Sequence, residues 1–371
     1  MITLAATNVT PYAAAGYEYE SNPFYEWNGA PVGGGSESDT LLKLRAGMDA
    51  RLDWSRQSLA MTAEVRHIVY HEFSYLTHTE ELLDGGFRWA FTSLVDGTGE
   101  YRHEHRMVPF DQLPAGTREL FLETEDSLSA SLNVLTRGGW RLETRGKVRN
   151  LASPRPDLPD LSLRETSIHQ ALRRILGGLS VGLDAEELWG SYSGAGEPNT
   201  NYNQTTLLLA AERKVKGLST FESSVGYTNR NQSQGGGDVS AVTGSLGYER
   251  ELTGKTSAGL LFTRGVNSYV TSASSEIDTE LSLHANWQAT SKIQVTPAFS
   301  LTYSDFPQQA GVSGPARHDR YQVVAIDIRY QALGSLSIHT YGRYDLRSSN
   351  VPSYGFNASA LGLELVFKEP Q

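Results

Sequence analysis

Glu280-Leu281-Ser282-Leu283-His284-Ala285-Asn286-Trp287-Gln288-Ala289 is followed, after Thr290-Ser291-Lys292, by Ile293-Gln294-Val295-Thr296-Pro297-Ala298-Phe299-Ser300-Leu301-Thr302-Tyr303-Ser304. In the first run every odd position is apolar and every even one polar or charged. In the second, Ile293, Val295, Pro297, Phe299, Leu301 and Tyr303 oppose Gln294, Thr296, Ala298, Ser300, Thr302 and Ser304. Side chains alternate across a strand with period two, so each run is a strand with one greasy and one wet face. Ten-residue segments of this kind separated by turn residues are the pattern of a transmembrane β-barrel, with lipid outside and water inside.

The same alternation recurs along the chain. It predicts strands at 12–20, 40–54, 58–70, 82–94, 98–108, 119–135, 140–151, 162–176 and 179–189. It predicts nine more at 202–215, 218–229, 239–252, 255–268, 276–289, 292–304, 321–332, 335–346 and 356–367. Eighteen is an even count, as single-chain bacterial barrels have. The weakest member is 162–176, where Leu163, Ile168, Leu172, Ile175 and Leu176 also fit a helix; without it and its neighbour the count is sixteen. Connections after even-numbered strands are tight: Ser55-Arg56-Gln57, Thr136-Arg137-Gly138-Gly139, Gly177-Gly178, Lys216-Gly217, Thr253-Gly254, Thr290-Ser291 and Leu333-Gly334. Those after odd-numbered strands, such as 21–39, 152–161, 190–201 and 306–320, are longer and rich in Pro, Gly, Ser and Asn. Short turns then belong in the periplasm, with both termini, and long loops outside. No domain boundary interrupts the pattern, so residues 1–371 are expected to be one barrel domain.

Bulk properties fit but do not decide. Hydrophobic residues are 39% of 371 and mean hydropathy is -0.37, as in a barrel whose every second strand residue meets water and equally in a soluble sandwich. No stretch reaches the roughly 18 apolar residues of a membrane helix. A net charge of -10 argues against a nucleic-acid partner. Met1-Ile2-Thr3-Leu4 has neither a basic start nor an apolar core, so the numbering is read as that of a mature chain whose export signal lies outside it.

Parity assigns the lumen. An Arg or Lys facing lipid at mid-bilayer costs about 2–4 kcal/mol, so charged faces must turn inward. That places Arg45, Arg51, Arg66, Arg88, Arg102, Arg106, Arg141, Arg145 and Arg149 on the inner wall, with Tyr70 and Tyr341 as aromatic contacts for a sugar. The second half looks thinner in basic groups and more acidic, with Glu222, Glu249, Glu280, Asp327 and Glu364. Such arginines either brace the wall against facing carboxylates or guide an anionic, hydroxyl-rich solute, and the two roles are compatible. Trp54, Trp89, Trp140, Trp287, Tyr303, Tyr330 and Tyr344 fall near strand ends on the apolar parity, as girdles at the headgroups do. Tyr101-Arg102-His103-Glu104-His105 puts two histidines on one face but supplies no third ligand, so no metal is expected. No nucleophile elbow, Walker or dinucleotide motif appears, and neither catalysis nor a cofactor is expected.

Gly16-Tyr17-Glu18-Tyr19-Glu20-Ser21-Asn22-Pro23-Phe24 resembles the first-strand motif of a family of β-barrel porins. His71-Glu72-Phe73-Ser74-Tyr75-Leu76 resembles a Phe-Ser-Tyr-Leu segment of the EpsL-like exopolysaccharide-biosynthesis outer-membrane proteins, and the likeness continues through Gly86-Phe87-Arg88-Trp89 and Gly138-Gly139-Trp140-Arg141. The last strand, with Gly362, Leu365 and Phe367, is similar to the signal read by the barrel-assembly machinery, although Lys368-Glu369-Pro370-Gln371 follows its aromatic. The resemblance implies an outer-membrane conduit of a Gram-negative bacterium, exporting a secreted polysaccharide with periplasmic export proteins as partners. A general or oligosaccharide-uptake porin is the alternative, which a long inward-folded loop favours. A barrel hydrolase is the third, which a Ser/His/Asp cluster at the rim favours.

The alternation has a direct test in assembly. Leu281→Arg, Leu283→Arg and Leu301→Arg each place a charge in hydrocarbon and should sharply reduce the folded, heat-modifiable form in outer membranes. Ser282→Arg and Ser300→Arg should fold normally; equal damage at both parities contradicts the assignment.

Overall fold

The computed structural model describes residues 7–27, 38–113, 115–153, 161–194, 197–215, 218–233, 238–269, 274–307 and 316–369. Eighteen antiparallel strands form a single sheet. They are β1 (Thr7–Glu20), β2 (Asp39–Trp54), β3 (Gln57–Tyr70), β4 (His78–Ala90), β5 (Val95–Met107), β6 (Leu122–Leu135), β7 (Trp140–Ser153), β8 (Leu161–Leu176) and β9 (Leu179–Gly194). There follow β10 (Glu197–Val215), β11 (Ser219–Gln232), β12 (Val239–Thr253), β13 (Thr256–Tyr269), β14 (Ser274–Gln288), β15 (Ile293–Phe306), β16 (Arg317–Gln331), β17 (Leu336–Ser349) and β18 (Phe356–Lys368). Each strand pairs with its sequence neighbours, and β1 pairs antiparallel with β18 from Tyr12↔Lys368 to Glu20↔Ala360, which closes the ring. No edge is left, as a sheet in hydrocarbon requires.

The outer face carries the apolar parity: Leu183 and Leu361 are 66% and 64% exposed, and Leu44, Met48, Leu128, Leu207 and Val242 lie on the same surface. All seven expected girdle aromatics lie on this outward parity. In the run that opens the sequence, Leu281↔Leu301 and Leu283↔Phe299 pair on the lipid side and Ser282↔Ser300 on the lumen side. The ladder skips from His284↔Ala298 to Trp287↔Val295, opposite Pro297, which has no N–H to give.

The uncertain segment is a full strand, β8, paired along its length with β7 and β9. Its helix-like spacing arises because Leu163 and Ala171 point inward and are buried, while Ile168, Leu172 and Leu176 point outward. Several boundaries move: β1 starts at Thr7, ahead of 12, β16 at Arg317, ahead of 321, and β6 at Leu122, after 119. The strand expected at 82–94 runs from His78 to Ala90, and the next begins at Val95. Apolar Phe91 and Leu94 belong to a turn in which the Thr92 Oγ1 accepts from the N–H groups of Leu94 and Val95. The loop expected at 190–201 is mostly strand, since β9 reaches Gly194 and β10 starts at Glu197. Outward Ser191, Ser193 and Asn203 are polar there, so the period-two signal fades. The turn at 216–217 and the middle of the loop at 152–161 lie outside the described residues.

Tight turns use strained backbone where the chain has a residue that tolerates it: Gly139 and Gly177 take φ of 76° and 63°, and Ser55 takes 54°. Glycine also makes room on the inner wall. Tyr341 lies flat across Gly362 of the neighbouring strand, where an added Cβ meets the ring at 2.2 Å, and Tyr12 covers Gly47 in the same way at 2.6 Å.

Gly362→Ala should displace the Tyr341 ring and destabilise the barrel by about 1–3 kcal/mol. The folded band on unheated gels should then convert at a lower temperature than wild type. Gly86→Ala, with nothing within 4 Å of the added Cβ, should leave that temperature unchanged.

Candidate functional site

The lumen divides into a constricted mouth on the long-loop side and an open, basic half on the short-turn side. Two segments leave the wall to make the constriction. The first is the far end of the β13–β14 hairpin. The β12–β13 ladder stops at Gly244↔Arg264 and the β14–β15 ladder begins only at Ile277↔Asp305, yet β13 and β14 stay paired out to Tyr269↔Ser274. This hairpin end bends inward. Val266 packs on Val239 and Ala241 of the inner face of β12, with Ile277 against the same cluster. Arg230, 2% exposed, anchors it: its Nη1 donates to the Asn267 carbonyl (3.2 Å), Ser268 Oγ (3.1 Å) and Ser275 Oγ (3.2 Å), and its Nε to Gln204 Oε1 (2.9 Å). Ser268 Oγ also donates to Glu165 Oε1 of β8 at 2.8 Å. One buried guanidinium thus ties β10, β11 and the hairpin together.

The second segment is 108–121. Val108 N–H donates to the Phe121 carbonyl at 2.8 Å, and Phe110–Gln112 form a single helical turn. Val108, Phe110, Leu113 and Phe121 bury themselves with Phe24, Leu41, Ile68, Tyr70 and Leu76 in an apolar plug beneath the loops. Phe24 meets Phe73 and Phe110 edge-on at 4.6 and 5.0 Å. Asp39 holds the adjoining loop by accepting from the N–H groups of His71, Glu72 and Phe73. The segment reaches across to β17, where Arg347 Nη1 donates to the Asp111 carbonyl at 2.8 Å. Burial holds the Asp111 carboxyl above the ordinary carboxylate range, against the opposing pull of Arg347 and Arg343.

All nine arginines expected on the inner wall lie on lumen parity, and they differ in freedom. Toward the mouth, Arg45 is clamped by Glu64 (3.1 Å) and Glu364 (2.5 Å), and Arg66 by Glu64 and Glu80. Arg106 meets Glu123 at 2.9 Å, and Arg149 meets Glu125 at 2.8 Å and Glu165 at 3.3 Å. These brace the wall. On the short-turn side the arginines are also paired but more open: Arg102 lies 3.0 Å from Glu104 and 3.5 Å from Asp84, and Arg145 2.8 Å from Glu100, with 46% and 44% of their side chains exposed, and Arg141 is 3.6 Å from Glu143. Arg51 pairs with Asp53 but keeps 67% of its side chain exposed. There Arg51, Arg88, Arg102, Arg145 and Lys147 surround a recess of about 620 Å³, against Asp84 and Glu100.

Two expectations change. Tyr70 is buried in the plug and does not line an open channel. Tyr341 lies on the wall with its hydroxyl committed to Glu18. The second half of the wall is thinner in basic groups than the first, as expected, yet Arg230, Arg317, Arg329, Arg343 and Arg347 face inward there. Arg317 and Arg347 were missed because they sit at the mouth end, beyond the hydrocarbon, where alternation weakens. Arg317 packs against the Phe306 and Tyr354 rings, 3.8 and 3.9 Å from their centroids. His103 and His105 face outward: His103 Nδ1 is 2.9 Å from Asp126 Oδ1 and His105 Nδ1 2.9 Å from Thr124 Oγ1. No group of three metal-binding side chains occurs among the described residues. On the lumen wall Ser337 Oγ is 3.2 Å from His339 Nε2, and His339 Nδ1 is 3.8 Å from Glu364 Oε2, a carboxylate already clamped by Arg45.

No family model matches the chain, and no curated protein matches it significantly. Solved structures do resemble it. The Pseudomonas aeruginosa channel OccK2 (OpdF) in complex with glucuronate shares 13% identity at a TM-score of 0.50, covering 98% of each chain. A mutant of the ferric enterobactin receptor PfeA of the same species shares 7% at 0.50, covering 99% of this chain and 81% of that one. The copper transporter OprC shares 10% at 0.49, and the chain spans 61% of its length. At such identities the likeness establishes architecture: this is a barrel of the outer-membrane porin and transporter type.

The raised Asp111 pKa gives the plug a pH dependence. Protonation removes a buried charge, so docking of 108–121 is strongest at acid pH and weakens as pH rises through the folded-state pKa. In bilayer recordings the closed fraction should be higher at pH 5 than at pH 8, and Asp111→Asn should be insensitive to this change. A pH response unaltered by Asp111→Asn contradicts the assignment.

Proposed function

We propose that this chain is a channel of the bacterial outer membrane that passes small, hydroxyl-rich anions such as sugar acids. The observation that carries this reading is the constriction. Two inward-folded segments, the hairpin end held by Arg230 of β11 and Glu165 of β8 and the other by Arg347 of β17, narrow the lumen above a recess with five basic and two acidic side chains. A narrow aqueous path lined by fixed positive charge admits single solutes and favours anions. The glucuronate complex of OccK2 makes that sugar acid the first probe to use. The channel is passive, and the reading assigns the chain neither a catalytic role nor a cofactor.

Export of an exopolysaccharide, with periplasmic export proteins as partners, is the second reading. One observation favours it: the Phe73–Leu76 segment, which carries the family likeness, sits in the mouth plug that a moving polymer has to pass. This route requires 108–121 and the hairpin end to swing out together. Deleting the gene and assaying secreted polysaccharide separates the readings, since loss of polymer with intact sugar-acid uptake favours export.

The arginines nearest the short-turn mouth should set the charge preference. Single Arg→Gln changes should have little effect, because exposed charges in a wet channel are screened. Arg51→Gln, Arg88→Gln and Arg145→Gln together should reduce anion over cation permeability and slow glucuronate entry into proteoliposomes. Unchanged selectivity in a folded triple variant contradicts an anion path through this recess.

A further inference from the structure

On four adjacent strands the outward apolar run ends at one row of the ladder. Leu260 and Phe262 of β13 lead up to Arg264, and Leu283 and Leu281 of β14 to Thr279. Phe299 and Leu301 of β15 lead to Tyr303, and Ile326 and Val324 of β16, past Gln322, to Arg320. The four end residues are register partners: Arg264↔Thr279, Thr279↔Tyr303 and Tyr303↔Arg320. They stand on the outer surface at the long-loop edge of the apolar belt, the level at which lipid tails give way to headgroups, and Tyr303 is 46% exposed there.

Two arginines on this row need a counter-charge that the wall does not supply. Arg264 Nη1 donates to Thr279 Oγ1 of the next strand, and the Arg320 guanidinium lies 5.9 Å from the centre of the Tyr303 ring. Each arginine thus leans one strand toward the other, and neither has a carboxylate partner among the described residues. Asp305, one step nearer the mouth, is the outward carboxylate closest to the row, and it is taken by His318, whose Nδ1 is 2.7 Å away. Asp278, Glu280, Asp319 and Asp327 of the same strands have lumen parity. An outward arginine is strongly unfavourable at mid-bilayer and nearly neutral at the interface, where headgroups replace hydrocarbon. A guanidinium fork at that level matches a phosphate, and the ring between the two forks offers its face to a sugar. We propose that this row binds the phosphorylated sugar headgroup of a glycolipid in the outer leaflet. Arg264 and Arg320 hold its phosphates, Tyr303 lies against a sugar ring, and the acyl chains run down Phe262, Leu281 and Leu301. A glycerophospholipid with one phosphate and no sugar leaves one arginine and the ring unused. The site lies outside the lumen, so it is independent of which solute the channel passes.

The test uses the purified full-length barrel in detergent, with native mass spectrometry reading bound lipid. The probes are lipid A carrying both phosphates, the same lipid with its phosphates removed, and phosphatidylglycerol. Wild type should bind the phosphorylated lipid A about tenfold or more tighter than either other probe. Arg264→Gln and Arg320→Gln should each weaken that binding by about tenfold, the order expected for one charge-assisted contact. Channel conductance should stay as in wild type, because both side chains face away from the lumen. Arg320 is exposed and rests on one ring, so Arg320→Gln decides the matter by itself if Arg264→Gln, which also loses the bond to Thr279, proves unstable. Absence of lipid A on wild type, equal affinity in wild type and Arg320→Gln, or equal binding of phosphatidylglycerol or of the dephosphorylated lipid overturns the site. Ion selectivity of the Arg51/Arg88/Arg145 variant tests the proposed function separately, and neither result bears on the other.

Discussion

Hydrocarbon offers no water to an exposed N–H or C=O, so every backbone group of a membrane wall must find its partner inside the wall. The rest of this structure depends on that constraint. It forces the sheet to close, which the β1–β18 pairing does. It also explains why the hairpin end of β13–β14 leaves the wall only near the mouth. Where the β12–β13 ladder ends at Gly244↔Arg264, β13 and β14 stay paired with each other and Arg230 donates to the Asn267 carbonyl. The wall departs from a regular ladder chiefly at the mouth, and in the run at 280–304 opposite Pro297, which has no N–H to give.

Function follows from those departures. The wall's arginines fall into two populations. Arg45, Arg66, Arg106 and Arg149 sit among two or more carboxylates and brace neighbouring strands. Arg51, Arg102 and Arg145, lower down, pair with carboxylates as well but keep more of their side chains exposed to the channel. Exposure therefore divides these arginines by depth. The mouth is built differently, from apolar packing of Phe24, Leu76, Phe110 and Phe121 together with a few long hydrogen-bond reaches. The contacts that hold this plug, apolar packing and the reach of Arg347 to the Asp111 carbonyl, lie outside the backbone ladder of the wall.

Much of the wall was legible in the sequence because period-two alternation is imposed by lipid on one side and water on the other. Leu281 and Ser282 declare their faces without ambiguity, as do Leu361 and Glu364. Legibility ended where lipid ended. His78 to Glu81 begin a strand whose outward residues, Thr79 and Glu81, lie beyond the apolar belt, so the start was read four residues late. Phe91 and Leu94 are apolar yet form a turn, because a turn at the membrane surface tolerates greasy residues. The inward bend of β13–β14 left no trace in the alternation: Val266 and Ile277 suit a lipid-facing strand as well as a hairpin packed on an inner wall.

The central claim is that the hairpin end, held by Arg230, sets the width of the passage. Single-channel conductance of wild type should be compared with that of a variant in which 266–276 are replaced by a two-residue Asn-Gly turn. A larger conductance in the variant, with the same heat stability of the barrel, is the result the account predicts. An unchanged conductance in a folded variant would place the constriction elsewhere and contradict it.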